Sequence, residues 1–316
     1  MIGIWKGFLL NKAADWGLPA GGEWSFVIFN NYQPQCSNLD VMWFHNGGSF
    51  PRVVVKFCDD PAPLKLEFEN MRRAHECAPS IVPKPLYFGP QGRQWGLWME
   101  GVPGSVLTTA EGHAPDVLHS LVEMVASLHA ALGAGRRELD PDRYRHMVQE
   151  PLEAVAGFGP SIAVKTGCSQ LAATISPKWL NSLPVIPQHG DLYSGNILAD
   201  KDRFFVVDWE NFGAVDLPFY DLLTLLYSLF RGTGETPAVW HPTLINAVPS
   251  LIRSYAQRLN LTPGDACLLL PLVLVNWFYI HFKEGRKAFT ENMYRTIQQY
   301  FENPEAWTRT FLVGGR

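Results

Sequence analysis

Apolar and polar positions follow two rhythms along the chain. In the first hundred residues the apolar runs are short and separated by turn signals. Trp24–Asn30 (WSFVIFN) predicts a strand, Asn31–Asn38 (NYQPQCSN) a turn, and Leu39–His45 the returning strand. Asn46-Gly47-Gly48-Ser49 is a strong turn signal before a third strand, Arg52–Phe57. Consecutive hairpins of this kind make an antiparallel sheet. Leu64–Glu76 then changes period: Leu64, Phe68, Met71 and, less cleanly, His75 share one helical side. Ile81–Gly89 and Trp95–Met99 read as the last two strands, and Glu100-Gly101-Val102-Pro103-Gly104 breaks the pattern as a linker.

Beyond Asp116 the spacing is helical. Leu118, Leu121, Val125, Leu128 and Leu132 mark a first helix, and Asp142–Ala156, Ile162–Ile175, Leu222–Phe230, Leu244–Leu259, Ala266–Phe282 and Thr290–Phe301 mark others. Met1–Gly22 allows an amphipathic opening element. The class is therefore α+β: an antiparallel sheet with one helix over residues 1–101, and a mostly helical part over 102–316. No internal repeat or low-complexity tract interrupts either part.

Composition changes this picture little. The 316 residues suffice for two substantial cores, and 47% hydrophobic with 18% charged residues describes an ordinary folded protein. A net charge of −4 gives no basic footprint for nucleic acid. The five cysteines are scattered, odd in number and lack a CxxC pair, which predicts neither a disulfide framework nor a zinc site and fits a reducing compartment. The opening MIGIWKGFLLNKAADW lacks the apolar core and cleavage site of a signal peptide. Ala266–Phe282 is short for a membrane span and carries Pro271, Asn276 and His281, so a buried helix is expected. These features predict a cytoplasmic protein with no membrane partner; a monomer or homodimer is expected, without a sequence feature that decides between them.

The candidate chemistry sits between His189 and Asp221, HGDLYSGNILADKDRFFVVDWENFGAVDLPFYD. Asp191 and Asn196 fall on a polar loop, and Asp208 ends the buried run Phe204–Val207. If Asn196–Leu198 pairs with Phe204–Val207 as a hairpin, Asn196 and Asp208 stand at one mouth of it. This suits phosphoryl transfer. Mg²⁺ takes hard oxygens from a carboxylate and an amide, and a separate carboxylate must orient the attacking hydroxyl and accept its proton. A polar loop followed by a turn aspartate is the plainer alternative.

HGDLYSGNIL, followed by VVDWENFG and DLPFYDL, resembles the aminoglycoside phosphotransferase and choline kinase-like family of small-molecule kinases. The likeness is strong over His189–Leu223 and extends back to about Val53. It implies a protein-kinase-like two-lobe fold and an ATP- and Mg²⁺-dependent enzyme that moves the γ-phosphate to a hydroxyl of a small molecule. Asp191 would then be the catalytic base, with Asn196 and Asp208 on the metal. Lys56, ending an apolar strand, would pair with the α- and β-phosphates. A strand-edge lysine kept in water is the alternative. The family's spacing favours Glu67 as its carboxylate partner, with Glu69 in reserve. Adenine would meet main chain near Glu100–Val102, making Glu100 and Val102 nucleotide-binding positions. Asp221 would hold the catalytic loop, with His129 packed beneath it.

The chain departs from the protein-kinase pattern in informative places. NYQPQCSN carries no glycine where a phosphate-covering loop is expected; Ser37 could donate to phosphate, or the segment is a plain turn. Gly190 stands where a regulated protein kinase has arginine, and only Trp209–Val215 separates Asp208 from DLPFYD, which leaves no room for an activation loop. A small hydroxyl acceptor fits better than a peptide. The resemblance directs attention for its pocket to Glu210, Asn211, Trp277, Tyr279, His281 and Glu284, though Trp277 also suits a helix core. No dense acidic cluster appears in the C-terminal third, which favours a neutral sugar or amino alcohol over a polycation. Two other classes stay open: a catalytically silent nucleotide- or ligand-binding protein on the same fold, and a metal-dependent hydrolase using His189.

Overall fold

The computed structural model describes residues 2–19, 21–33, 36–133, 135, 141–231 and 242–309, with backbone alone at 30–33, 36–38, 141, 231 and 242–245. The chain divides into two compact units, one of residues 1–106 and 196–211, the other of 107–195 and 212–316. The crossings fall between Val106 and Leu107, between Gly195 and Asn196 and between Asn211 and Phe212, so the hairpin around Asp208 belongs with the N-terminal segment.

The first unit is built on a five-stranded antiparallel sheet in the order β1-β2-β3-β5-β4. Its strands are β1 (Trp24–Gln33), β2 (Cys36–His45), β3 (Val53–Cys58), β4 (Pro85–Gln91) and β5 (Gln94–Glu100), preceded by helix α1 (Ile2–Lys12). The β1–β2 connection is tighter than the turn the sequence predicts: Gln33 already faces Cys36. One face of the sheet buries Trp24, Val41, Trp43, Val53, Val55, Phe57 and Trp98 against Trp5 and Leu9 of α1. Alternation explains this set, because residues two apart share a face. Trp5 stacks on Phe57 with ring centroids 4.2 Å apart. Much of the chain's tryptophan thus serves this core.

Helix α2 (Pro61–Cys77) starts where Asp60 caps the Ala62 N–H at 3.0 Å and Pro61 takes a first-turn position that needs no donor. It buries Leu64, Glu67, Asn70, Met71 and Ala74. A second sheet, β6-β7-β8, joins Ser105–Val106, Ile197–Asp200 and Arg203–Val206. Ile197 faces Val206, so Asn196 and Val207 continue the pairing, with the Val207 N–H donating to the Asn196 carbonyl at 3.0 Å. Asn196 and Asp208 therefore stand at one mouth of the hairpin, as its pattern predicts.

The second unit is helical. It comprises α3 (Thr109–Gly112), α4 (Pro115–Leu132), α5 (Pro141–Tyr144), a π-helical turn (Arg145–Gln149), α6 (Glu150–Phe158), α7 (Ile162–Thr174), α8 (Pro177–Ser182), α9 (Tyr220–Arg231), α10 (Pro242–Arg258), α11 (Asp265–Lys283), α12 (Lys287–Glu302) and α13 (Pro304–Thr308). The helix expected over Asp142–Ala156 is three pieces, with the π turn inserted before Pro151. Proline at the first turn of α6 cannot donate to the preceding turn, which accounts for the change of pitch. Helix α11 is long and apolar enough to cross a membrane, yet 67% of its apolar window is buried within the protein.

One expectation is corrected. The scattered cysteines argue against a disulfide framework and fit a reducing compartment, but Cys58 is disulfide-bonded, while Cys77, Cys168 and Cys267 are free. Spacing along the sequence carries no signal for a pairing made by the tertiary fold. The inference of a reducing compartment loses that support.

Candidate functional site

A cavity of about 450 Å³ opens in the first unit. Strand β3 presents Lys56 into it from the face opposite the tryptophan core. Helix α2 supplies Leu64 and Glu67, β5 supplies Met99 and Glu100, and the β7–β8 hairpin supplies Asn196, Leu198, Val207 and Asp208. Val54, Pro83, Val102 and Glu210 complete much of the lining. The lining thus combines apolar side chains with several carboxylates.

Lys56 Nζ donates to Glu67 Oε1 at 2.6 Å and to Asp208 Oδ1 at 2.7 Å. The competition between Glu67 and Glu69 resolves on helix geometry. Glu67 lies one turn from Leu64 and Met71 on the buried face, whereas Glu69 is exposed and 4.0 Å from Lys65. Burial opposes the Lys56 charge, but Asp208 and Glu67 together outweigh it and hold its pKa well above the usual lysine value. Burial also pushes the Glu67 carboxyl up, against the pull of Lys56. Asp208 keeps 34% of its side chain exposed.

Asp208 has φ 69°, a left-handed backbone that aspartate tolerates better than most residues. Such a conformation costs on the order of 1 kcal/mol and persists only when its surroundings fix it. Here Asn70 Nδ2 on α2 donates to the Trp209 carbonyl at 3.1 Å, and the Trp209 indole donates to the Val206 carbonyl at 2.9 Å. Close packing also fixes the chain leaving β5. A Cβ on Gly101 would meet the Pro51 carbonyl oxygen at 2.2 Å, so glycine lets this segment run beside the cavity.

Six carboxylates line the cavity among the described residues, Asp40, Asp60, Glu67, Glu100, Asp208 and Glu210, against the single ammonium of Lys56. A bare polyphosphate would meet net repulsion there; one carrying a divalent cation would not. The Asn196 amide and Asp208 carboxylate are hard oxygen donors suited to Mg²⁺. Among the described residues no group of three His, Cys, Asp or Glu is placed to hold a metal. Mg²⁺ suits such a sparse set, because it draws its remaining ligands from phosphate and water.

The second unit holds Asp191 on the loop before its crossing at Gly195. That loop is braced from α9. Asp221 accepts the His189 N–H at 2.6 Å and the Gly190 N–H at 3.1 Å, and it also meets His129 Nε2 at 2.9 Å. Tyr220 donates to the Gly190 carbonyl at 3.2 Å, and Thr224 to the Leu192 carbonyl at 3.0 Å. His129 is fully buried beneath, its other ring nitrogen against Tyr255 at 2.7 Å. His189 is buried as well, and its Nδ1 accepts the Asp191 N–H at 3.3 Å. Through this nitrogen it braces the loop, and no group of three His, Cys, Asp or Glu placed to hold a metal includes it among the described residues.

Asp191 is 3% exposed. Its Oδ1 accepts from Trp277 Nε1 at 3.0 Å and lies 3.2 Å from His281 Nε2. Burial works against the charge of Asp191, yet the His281 contacts, the Trp277 indole and His189 prevail and hold its carboxyl below the ordinary value. Trp277 and His281, expected at an acceptor pocket, are both buried on α11 and turned to this carboxylate. Sequence reasoning missed that contact. The available signal was an indole and an imidazole one turn apart within an otherwise apolar helix.

Of the remaining expected positions, Glu100, Val102 and Glu210 line the cavity of the first unit. Ser37 lies on β2 opposite Tyr32, and its side chain is outside the described residues.

A family model described as "Phosphotransferase enzyme family" matches residues 36–247. Choline kinase from Cryptosporidium parvum Iowa II is similar in structure, with a TM-score of 0.68, 13% identity, and coverage of 99% of this chain and 98% of that one. An aminoglycoside phosphotransferase APH(4)-Ia variant, in ternary complex with ADP and hygromycin B, has a TM-score of 0.58 at 13% identity over 95% of this chain and 98% of its own. A choline/ethanolamine kinase family protein from Mesorhizobium loti has 0.57 at 15% identity over 96% and 97%. These likenesses share a protein-kinase-like fold with the chain. No curated protein sequence matches it.

Proposed function

Since the chain belongs to the phosphotransferase enzyme family, we propose that it transfers the γ-phosphate of ATP, as its Mg²⁺ complex, to a hydroxyl group of a small molecule. The observation that carries this reading is Lys56 bridging Glu67 and Asp208 at 2.6 and 2.7 Å inside a cavity that Asn196 also lines. Lys56 would neutralise the α- and β-phosphates, and Asn196 and Asp208 would hold Mg²⁺, which supplies charge neutralisation on the phosphates. The apolar lining residues Val54, Leu64, Met99, Val102, Leu198 and Val207 suit a flat base, with main chain near Glu100–Val102 offering it polar contacts.

Asp191 orients the acceptor hydroxyl and takes its proton. A carboxylate held below its ordinary pKa is ionised at neutral pH and ready for this. The rest of the catalysis is positioning and charge neutralisation. Sugars and amino alcohols are the acceptor classes we favour. A choline kinase and an ethanolamine kinase among the structural relatives make amino alcohols the first to try, and the aminoglycoside phosphotransferase seen with hygromycin B keeps aminoglycosides in the panel.

An ADP-release assay over sugars, amino alcohols and aminoglycosides, with and without Mg²⁺, tests the reading. Mg²⁺-dependent release stimulated by an acceptor and lost in Asp191→Asn is expected. Undiminished turnover in that variant would sink the assignment. Tight nucleotide binding with no turnover over a broad panel would instead favour a silent binding protein.

A further inference from the structure

We propose that His281 is a positioning residue for phosphoryl transfer, fixing the Asp191 carboxylate in one orientation and matching its charge while Glu284 anchors the imidazole from behind. The proposal rests on the reading of Asp191 as the base.

The argument begins with spacing. Trp277 and His281 are four residues apart on α11 and so share one helix face. Both N–H groups reach the same oxygen, Asp191 Oδ1, at 3.0 and 3.2 Å. Two donors on one oxygen restrict rotation of the planar carboxylate about its Cβ bond. The second nitrogen of His281, Nδ1, lies 2.9 Å from Glu284 Oε2. A neutral imidazole has one N–H and can serve one acceptor; carboxylates at both nitrogens call for the imidazolium, which donates twice. Arg286 Nε meets the same Glu284 oxygen at 2.8 Å. The row therefore alternates in charge, Asp191, His281, Glu284, Arg286.

The surroundings support this protonation state. Burial lowers the imidazole pKa, but Asp191 and Glu284 more than offset it and raise it above the ordinary histidine value. The other titratable groups facing the cluster have different tasks. Tyr220 donates to the Gly190 carbonyl, and His189 Nδ1 accepts the Asp191 N–H. Phe289 closes the imidazole edge at 4.1 Å between ring centroids, and His281 is only 1% exposed. In so dry a setting a charge-assisted hydrogen bond holds its geometry better than one in water.

Three variants test the idea: His281→Gln, which can keep a donor but loses the charge; Glu284→Gln, which keeps an acceptor but removes the rear negative charge at a partly exposed position; and Asp191→Asn as reference. His281→Gln is expected to lower kcat by about tenfold to a hundredfold, the range for a lost orienting partner, with the KM for Mg·ATP unchanged. Loss of the positive charge also lets the Asp191 pKa rise, so the acid limb of kcat should move toward neutral pH. Glu284→Gln should move both readouts the same way by less. Nitrogen-detected NMR of the wild-type protein at neutral pH should show both His281 ring nitrogens protonated.

Wild-type kcat and an unmoved acid limb in both His281→Gln and Glu284→Gln, with Asp191→Asn inactive, would overturn the positioning role alone. Full activity in Asp191→Asn would overturn the base assignment beneath it. A neutral His281 in the NMR spectrum would overturn the charge argument even if His281→Gln failed to fold.

Discussion

Each unit carries a cation between two carboxylates, and the two triads differ in which member is exposed. In the first unit Lys56 joins buried Glu67 to Asp208, whose side chain is 34% exposed. In the second, His281 joins buried Asp191 to Glu284, which is 26% exposed. The exposed member of the first triad opens on the cavity and is positioned to meet a ligand. In the second, the working group is the buried one, and the exposed member stands behind the cation. Lysine suits the first site because its charge is fixed across the physiological range. Histidine suits the second if its charge is meant to follow that of a base.

The comparison is broken most severely by removing the base. Asp191→Asn should reduce kcat by about 10²- to 10⁴-fold, the usual share of general base catalysis, and leave nucleotide affinity intact. Steady-state kinetics beside equilibrium binding separates the two effects. Comparable loss of affinity would place Asp191 in the nucleotide site.

The next effect is on stability. Lys56→Met leaves Glu67 buried without its cation, at a cost of roughly 3–5 kcal/mol. The double variant Lys56→Met/Glu67→Leu should recover much of that in urea unfolding, because no buried charge remains. A double variant as unstable as the single would show that the pair does more than neutralise itself. A smaller local loss is expected for Gly101→Ala. The new methyl meets the Pro51 carbonyl oxygen, and overpacking costs about 1–3 kcal/mol. The KM for nucleotide should rise, since this segment borders the cavity.

The smallest effect sharpens the contrast between the two cations. The Lys56 pKa lies well above 10.5 in the folded protein, so its contribution to stability is fully present below 10.5 and flat across neutral pH. The His281 pKa is raised from 6.5, so its contribution is present below 6.5 and is lost as pH rises through the folded value. Wild-type protein should therefore lose stability relative to His281→Gln from about pH 6.5 upward, by at most roughly 1.4 kcal/mol per pH unit. Parallel stability curves for the two proteins would contradict a charged His281.

The family resemblance, laid over local signals, made the first triad readable in the sequence. Lys56 ends an apolar strand, Glu67 follows on the next helix, and Asp208 ends the second strand of a hairpin whose register alternation fixes. The loop motif likewise located Asp191, and DLPFYD supplied Asp221. The second triad was not readable as one, because the resemblance placed Trp277 and His281 only at an acceptor pocket and periodicity sees α11 only as an apolar helix. Which group on the loop they face is decided by tertiary packing. The same limit applies to Cys58. It applies in part to the π turn before α6, where Pro151 was visible yet the reading ran a single helix through it.

The central claim is that Asp208 binds nucleotide through a metal while Asp191 acts on the acceptor. Calorimetric titration of ATP into wild-type protein, Asp208→Asn and Asp191→Asn, each with and without Mg²⁺, tests it most directly. The account predicts that Mg²⁺ strengthens binding to wild-type and to Asp191→Asn but adds little for Asp208→Asn. Equal Mg²⁺ enhancement in all three proteins would contradict it.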